Sequence, residues 1–228
     1  MTMCDQRKTG LGWRLFSVSI LPVALLGLAG CASAGYDKSN AAAYSMHAGA
    51  QEIQAESQAL DQTLSSLKDL VDKPANLKQQ YQSFSSALDH LIVCAQRADD
   101  TGKRIQAKGA AYFQTWDREL AGINHEHIRD LSQTRRSEVT NHFASVTLRY
   151  KENLEVVQPL ISYLKDLRVA LSADLTAAGL QSMKSVVANA EQTTAKVQPA
   201  LTGLVAELTD SSNNMSSTVA VRSTDDGS

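Results

Sequence analysis

Residues 143–171, FASVTLRYKENLEVVQPLISYLKDLRVAL, form the stretch that decides the fold. Its apolar residues recur every seven positions in two companion sets: Phe143, Tyr150, Val157, Leu164 and Leu171, and then Val146, Leu160 and Leu167. Heptad spacing places these side chains on one face of a helix that packs against neighbouring helices. The polar Asn153 interrupts the second set, which fits a residue that sets the register of a bundle or marks a looser end of it.

Three further apolar stripes at helical spacing lie on either side of this stretch. The stripe that follows it consists of Met183, Val187, Ala190, Thr194, Val197, Leu201, Leu204 and Leu208. The stripe that precedes it consists of Leu77, Tyr81, Phe84, Leu88, Leu91, Ala95, Ala98, Gly102, Ile105, Gly109, Tyr112, Trp116 and Leu120. The first stripe of the chain consists of Met46, Ala50, Ile53, Ser57, Leu60, Leu64, Leu67 and Val71. Each stripe predicts one long helix with a single buried face.

Short breaks separate the four predicted helices. Pro74 ends the first, because the residue before a proline avoids the helical region. Gly122 and Asn124 supply a stop and a cap before the third, and capping residues follow at 172–174. Short connections make consecutive helices antiparallel. The sequence therefore predicts an all-α fold, an elongated antiparallel up-down-up-down bundle or coiled coil of about four long helices, the central two about 65 to 70 Å long.

The segment before the stripes has the layout of a bacterial lipoprotein signal. Three basic residues precede an apolar run from Leu15 to Leu28, which is too short for a membrane-spanning helix. Leu28-Ala29-Gly30-Cys31 closes this run and resembles the bacterial lipobox, at which a signal peptidase cuts before the cysteine. The resemblance implies that Cys31 receives a diacylglycerol and a further acyl chain. Several acyl chains hold a protein on a membrane almost permanently.

These observations predict a division of the chain into four parts. They are a signal peptide in residues 1–30, a lipid-anchored flexible tether in 31–40, a helical bundle in 41–209 and a disordered tail in 210–228. Ala32 follows the lipidated cysteine where an aspartate would signal retention in the inner membrane. By resemblance to that sorting rule, the periplasmic face of the outer membrane is the expected location.

The charge and the cysteine content argue against a nucleic-acid partner and against a reactive thiol in the bundle. The formal net charge is −2, and removal of the basic signal segment makes it more negative. Such a chain lacks the basic surface that nucleic acid requires, so we expect membrane contact through the lipid and no nucleic-acid partner. Of three cysteines, Cys94 alone lies in the predicted bundle, within the apolar run Leu91–Ala95. It is interpreted as a buried small hydrophobic residue rather than a reactive thiol.

One cluster has the residue types of a metal site. His125 and His127 alternate at the start of the third helix and diverge by about 200° once helical. They therefore share a metal only if the segment stays extended, and we expect no metal ligands, no cofactor and no catalytic residues. The small basic clusters at Lys103-Arg104 and Arg135-Arg136 are interpreted as solvated faces, with a docking patch for an acidic partner as the alternative. Tyr112, Phe113 and Trp116 are interpreted as core rather than a ligand cage.

The second stripe has small residues at its middle and aromatic residues at its ends. Ala95, Ala98, Gly102 and Gly109 remove side-chain bulk, so a neighbouring helix can approach closely there. If the backbones do not close this seam, it leaves a slot between helices for an apolar small molecule. Ligand carriage is therefore the first alternative function, and a metal-binding role for His125 and His127 is a weaker one.

The second half of the chain is similar to a bacterial family of helical lipoproteins catalogued as domain of unknown function 2959. The similarity lies in Trp116, Leu120, Thr134-Arg135-Arg136, Tyr150, Pro159-Leu160, Asp166, Leu171, Asp174-Leu175 and Leu180. The resemblance implies a helical fold and an envelope location over most of residues 41–208, and it implies no activity or site residues. We therefore expect a non-enzymatic envelope lipoprotein, a helical spacer or protein-interaction module with an envelope protein as partner.

Overall fold

The protein is described by a computed structural model in which residues 34–217 are placed. They form four helices, α1 (Gly35–Asp72), α2 (Leu77–Ala121), α3 (Glu126–Ala173) and α4 (Ala177–Met215). No strand occurs within this range, so the all-α prediction is confirmed. At 1.5 Å per residue, α2 and α3 are about 67 and 72 Å long, close to the lengths expected from the sequence. None of these four helices is long and apolar enough to cross a membrane.

The helices alternate in direction around a square. Helix α1 packs against α2 and α4, and α3 packs against the same two helices. The backbone N–H of Gly35 donates to Glu119 Oε1 at 2.7 Å, so the start of α1 lies beside the end of α2. Ion pairs join α1 to α4 (Lys68 Nζ to Glu191 Oε1, 3.2 Å) and α3 to α2. The predicted up-down-up-down arrangement is confirmed.

The heptad stretch supplies the buried face of α3. All nine of its heptad positions are buried, including the polar Asn153. Helix α3 continues through Pro159, and α4 likewise continues through Pro199. The stripes of α2 and α4 are buried or half-buried along their whole length. In α1 the stripe departs at one position, because Glu56 is buried and Ser57, which was predicted in its place, is only half-buried.

Helix α1 begins earlier than the sequence predicted. Residues 35–40, which were expected to belong to a flexible tether, form its first turns. The Ser39 hydroxyl donates to the carbonyl of Met215, and the Asn40 amide donates to Ser217 Oγ at 2.8 Å. Small, polar residues have too little helix propensity to form a stable helix on their own. Here the bonds to the end of α4 stabilise these turns.

Helix α4 also ends later than predicted. Residues 210–215, which were expected to open a disordered tail, complete the helix, and Ser211 and Ser212 are buried. The Ser212 hydroxyl donates to the carbonyl of Ala43 at 2.9 Å. Ser211 Oγ lies 2.9 Å from His142 Nε2 of α3, so the polar residues here are ordered by partners on both α1 and α3. The predicted signal peptide, Cys31 and the tail beyond residue 217 lie outside the described residues.

The caps agree in part with the sequence. Gly122 is the C-cap of α2, as predicted. Helix α3 has His125 rather than Asn124 at its N-cap, and the His125 side chain makes no capping bond there. Asn76 caps α2 by accepting the N–H of Gln79 at 3.2 Å.

Candidate functional site

The predicted anchor lies just before the described residues. Cys31 is the only site residue that the sequence assigns, and the structure begins three residues later at Ala34. A chain of three residues spans at most about 11 Å. Because Gly35 is bonded to Glu119, any group carried by Cys31 stays close to this end of the bundle, which we call the α1 end.

Aromatic rings of α3 close the small-residue seam of α2. A Cβ added to Gly102 would lie 2.7 Å from Tyr150 Cε1, and one added to Gly109 would lie 2.0 Å from Phe143 Cζ. The two rings occupy the space that the glycines leave. The Tyr150 hydroxyl also donates to the carbonyl of Ala98 at 2.6 Å. The seam therefore closes by side-chain insertion, neither by the close backbone approach expected from the sequence nor by leaving a wide slot.

A small pocket remains beside Tyr150. Its volume is about 90 Å³, and apolar side chains of α2, α3 and α4 line it, among them Ile105, Val146 and Leu208. Drug-sized ligands occupy sites of about 300–1,000 Å³. This remnant of the predicted slot holds a few atoms at most.

Two unpartnered polar side chains lie in the bundle interior next to this seam. Glu56 on α1 is fully buried, and neither of its carboxyl oxygens has a hydrogen-bond partner within residues 34–217. Asn153 on α3 is 5% exposed, and both polar atoms of its amide lack a partner in the same range. Most buried polar atoms in proteins are bonded, so this pair is unusual.

Contacts with α4 place these two residues at similar heights in the bundle. The Ser57 hydroxyl donates to Gln198 Oε1 at 2.8 Å, and Arg149 pairs with Glu207. Glu56 directly precedes Ser57, and Asn153 lies one turn after Arg149 and lines one groove with Gly203, so both residues are level with neighbouring turns of α4. We call Glu56 and Asn153 the polar layer.

Burial dominates the electrostatics around the polar layer. Desolvation raises the pKa of Glu56 from 4.5 to about 7, so this carboxyl changes charge near neutral pH. Burial also raises the pKa of Tyr150, with smaller contributions from Glu56 and Glu52, and its hydroxyl therefore stays a hydrogen-bond donor. Perturbed carboxyl groups of this kind mark candidate functional sites, and they also occur as structural features.

The sequence analysis missed Glu56. A signal was present, because Ile53, Glu56 and Leu60 follow the same alternation of three and four residues as Ile53, Ser57 and Leu60. Both Glu56 and Ser57 fit this spacing, and buried carboxyl groups are rare, so the pattern alone does not single out Glu56.

Cys94 lies on the buried face of α2, in agreement with the prediction. Its sulfur lies 3.7 Å from His90 Nε2. Desolvation is the main cause that raises the pKa of the thiol, which keeps it protonated and unreactive.

The structure separates the other predicted candidates. His125 and His127 lie at the exposed start of α3, and no group of three His, Cys, Asp or Glu side chains within residues 34–217 is arranged to hold a metal. The two basic clusters have acidic neighbours: Lys103 Nζ lies 2.7 Å from Asp99, and Arg136 Nε lies 2.5 Å from Asp117.

The aromatic residues near the α1 end form a half-buried cluster. The Tyr112 ring packs at a tilt against Phe113 and Trp116, with its centroid 5.2 Å from that of Phe113 and 5.3 Å from that of Trp116. The Trp116 indole N–H donates to Ser132 Oγ at 3.0 Å. A pocket of about 290 Å³ is lined by Tyr112 and Trp116 together with Tyr36, Met215 and Glu119. The cluster is therefore partly core and partly the wall of an open pocket.

A larger groove lies between α3 and α4. It has a volume of about 400 Å³, and its lining includes the apolar Val156, Pro199 and Leu204 together with Asn153. Gly203 also lines it, and a Cβ added there would meet no atom within 4 Å. This interface is thus more open than the seam between α2 and α3.

Comparison with known proteins identifies a family for the chain. The model of the family described as "Protein of unknown function (DUF2959)" matches residues 29–219. The chain belongs to this family. No curated protein and no solved structure matches it. The DUF2959 match extends from the predicted lipobox to just beyond α4, so it covers the whole bundle.

Proposed function

We propose that this DUF2959 protein is a non-enzymatic lipoprotein of the bacterial cell envelope. In this proposal Cys31 carries the lipid and holds the protein on the periplasmic face of the outer membrane. The helical bundle serves as a spacer or as a module that binds another envelope protein.

One observation carries this proposal. Helix α1 begins four residues after Cys31, at one end of a bundle whose longest helix is about 72 Å. A lipid at that position would attach the bundle by its end, and the rest of its length would be available to reach or bind a partner. The filled seam around Gly102 and Gly109 supports a structural role over carriage of a ligand there.

Crosslinking in intact cells, followed by purification of the protein, tests the proposal. The native protein is compared with Cys31→Ser, which cannot receive the lipid, and with Cys94→Ala as the matched control. We expect the native protein and Cys94→Ala to fractionate with the outer membrane and to capture the same envelope protein. Cys31→Ser should lose both properties.

Equal membrane fractionation of Cys31→Ser and the native protein would contradict the lipid anchor. Outer-membrane fractionation without any captured protein would contradict the interaction module and leave the spacer role. These two results separate the anchor from the role of the bundle.

A second candidate function is carriage of an apolar small molecule. It is favoured by the groove of about 400 Å³ between α3 and α4, rather than by the seam predicted from the sequence. Organic extracts of the purified protein, analysed by mass spectrometry, would contain one recurrent compound. Gly203→Phe, which fills the groove, would lose it, whereas Gly203→Ala would keep it.

A further inference from the structure

The α2–α3 hairpin projects beyond the end of α4. His142 Nε2 lies 2.9 Å from Ser211 Oγ, and α4 continues for only four more residues. Because α3 and α4 are antiparallel, the part of α3 that precedes His142 runs in the same direction in space. It is sixteen residues long and begins at Glu126. The start of α3 therefore reaches about 18 Å past α4.

This projecting segment exposes apolar side chains. Ile128 is 53% exposed and Leu131 is 60% exposed, on adjacent turns of α3. On the neighbouring helix, Trp116 bonds Ser132, so the indole lies beside this segment. Tyr36, on the first turn of α1, is 62% exposed at the same end of the bundle. Apolar and aromatic side chains thus gather at the α1 end, and we call Tyr36, Trp116, Ile128 and Leu131 the end patch.

The chain leaves no long spacer between the end patch and the predicted anchor. Residues 35–40 are helical and are bonded to α2 and α4. Only Ala32 and Ser33 lie between Cys31 and Ala34, so a lipid on Cys31 enters the bilayer within about 11 Å of the bundle. The headgroup region is about 5–8 Å thick on each side of a bilayer, so the bundle lies against this region or at most a few ångströms beyond it.

We propose that the end patch docks on the lipid surface itself, as a second membrane contact beside the acyl chains. The inference rests on the proposed lipidation of Cys31. Tyrosine and tryptophan favour the interface between headgroups and hydrocarbon, and exposed aliphatic side chains gain by insertion there. Docking would hold the bundle at a fixed angle to the membrane, whereas a flexible tether would leave its direction free.

Trp116 reports on this contact without any label. The chain has two tryptophans, and Trp13 is removed with the predicted signal peptide. The lipidated protein, extracted from membranes, is reconstituted in phosphatidylethanolamine–phosphatidylglycerol vesicles with or without bromine on the acyl chains. We expect bromine to quench the fluorescence of Trp116.

A double variant tests the side chains of the end patch. Ile128→Ser with Leu131→Ser should lower the quenching by roughly twofold or more, because less apolar area enters the interface. The matched control is Leu148→Ser with Val169→Ser, which removes two similarly exposed side chains of α3 outside the end patch and should leave the quenching unchanged. Circular dichroism confirms that both variants remain helical.

The possible failures are distinguishable. A mass spectrum taken before reconstitution shows whether the chain carries lipid. A chain without lipid would contradict the proposed function and remove this inference with it. A lipidated chain with unquenched Trp116, or with equal quenching in both double variants, would overturn the docking alone. Concentration-dependent dimerisation that the end-patch variant abolishes would assign the patch to a second copy of the chain and also overturn it.

Discussion

The small-residue seam of α2 and the polar layer lie next to each other in the bundle interior. They differ in whether their side chains fill space and have hydrogen-bond partners. In the seam, Tyr150 fills the space over Gly102 and its hydroxyl bonds Ala98. In the polar layer, Glu56 and Asn153 have no hydrogen-bond partner among the described residues. The seam therefore stabilises the bundle through shape, whereas the polar layer costs stability.

This difference indicates separate roles for the two regions. Inserted rings and glycine gaps fit in one register only, so the seam fixes how α2 and α3 align. A buried polar group without a partner destabilises the fold and is retained where it provides specificity or function. Four sets of substitutions, taken from the largest expected effect to the smallest, test the contrast.

Tyr150→Ala should lower the free energy of unfolding by about 3–5 kcal/mol, because it leaves a cavity over Gly102 and removes a large buried ring. Urea denaturation followed by circular dichroism measures the change. Tyr150→Phe keeps the ring and loses only the bond to Ala98, so it should cost about 1 kcal/mol. Similar losses for the two variants would mean that the bond, rather than the shape of the seam, supplies the stability.

Glu56→Gln should change how stability depends on pH. The pKa of Glu56 in the folded protein, about 7, is above its unfolded value of 4.5. Below pH 4.5 Glu56 is protonated in both states, and its contribution to the free energy of unfolding is fully present. As the pH rises from 4.5 towards 7, the unfolded state ionises first, and this contribution is lost. The loss amounts to about 3 kcal/mol and stays constant at higher pH.

The measurement is the difference in the free energy of unfolding between Glu56→Gln and the native protein, from pH 4 to pH 8. This difference should move in favour of the variant by about 3 kcal/mol across that range. Glu155→Gln, at an exposed position of α3, is the matched control and should give a flat difference. A flat difference for Glu56→Gln as well would refute the assignment of a raised pKa.

Gly109→Ala and Gly203→Ala add a methyl group at two different places. At Gly109 the ring of Phe143 already occupies the space, whereas at Gly203 the space is free. Overpacking against Phe143 should make Gly109→Ala destabilising by about 1–3 kcal/mol. Gly203→Ala has free space around the added methyl group and should gain up to about 1 kcal/mol from helix propensity. Thermal denaturation gives both signs, and a gain at both positions would show that the seam is not tightly packed.

Asn153→Leu should raise the free energy of unfolding by about 1 kcal/mol, because an apolar side chain of similar size removes an unpartnered amide. Light scattering after size-exclusion chromatography tests its second effect. If Asn153 sets the register, the variant should populate additional oligomeric states. A variant that is both more stable and unchanged in its state of association would assign Asn153 no role in specificity.

The sequence was sufficient to predict the helices and their order. Heptad spacing from Phe143 to Leu171 placed nine buried residues of that stretch correctly, because helix periodicity determines which side chains share a face, but it missed the buried Ile161. The end of α2 at Gly122 was predicted at the right place, although Gly122 has a right-handed backbone (φ −84°) rather than the left-handed one typical of a glycine cap. The seam was predicted as a place of small residues, but its filling by Tyr150 and Phe143 depends on the register between α2 and α3.

The features that the sequence analysis missed depend on tertiary contacts. Residues 35–40 are helical because the end of α4 binds Ser39 and Asn40. Ser212 is ordered by its bond to the carbonyl of Ala43 on α1, and Ser211 by its contact with His142 on α3. Burial of Glu56 in place of Ser57 depends on the rotation of α1 by a fraction of a turn, which periodicity does not determine.

The intact mass of the protein extracted from the envelope tests the central claim, attachment through Cys31, most directly. The account predicts a chain that begins at Cys31 and carries the added mass of a diacylglycerol and one further acyl chain. A chain that retains residues 1–30, or one in which Cys31 is unmodified, would contradict it.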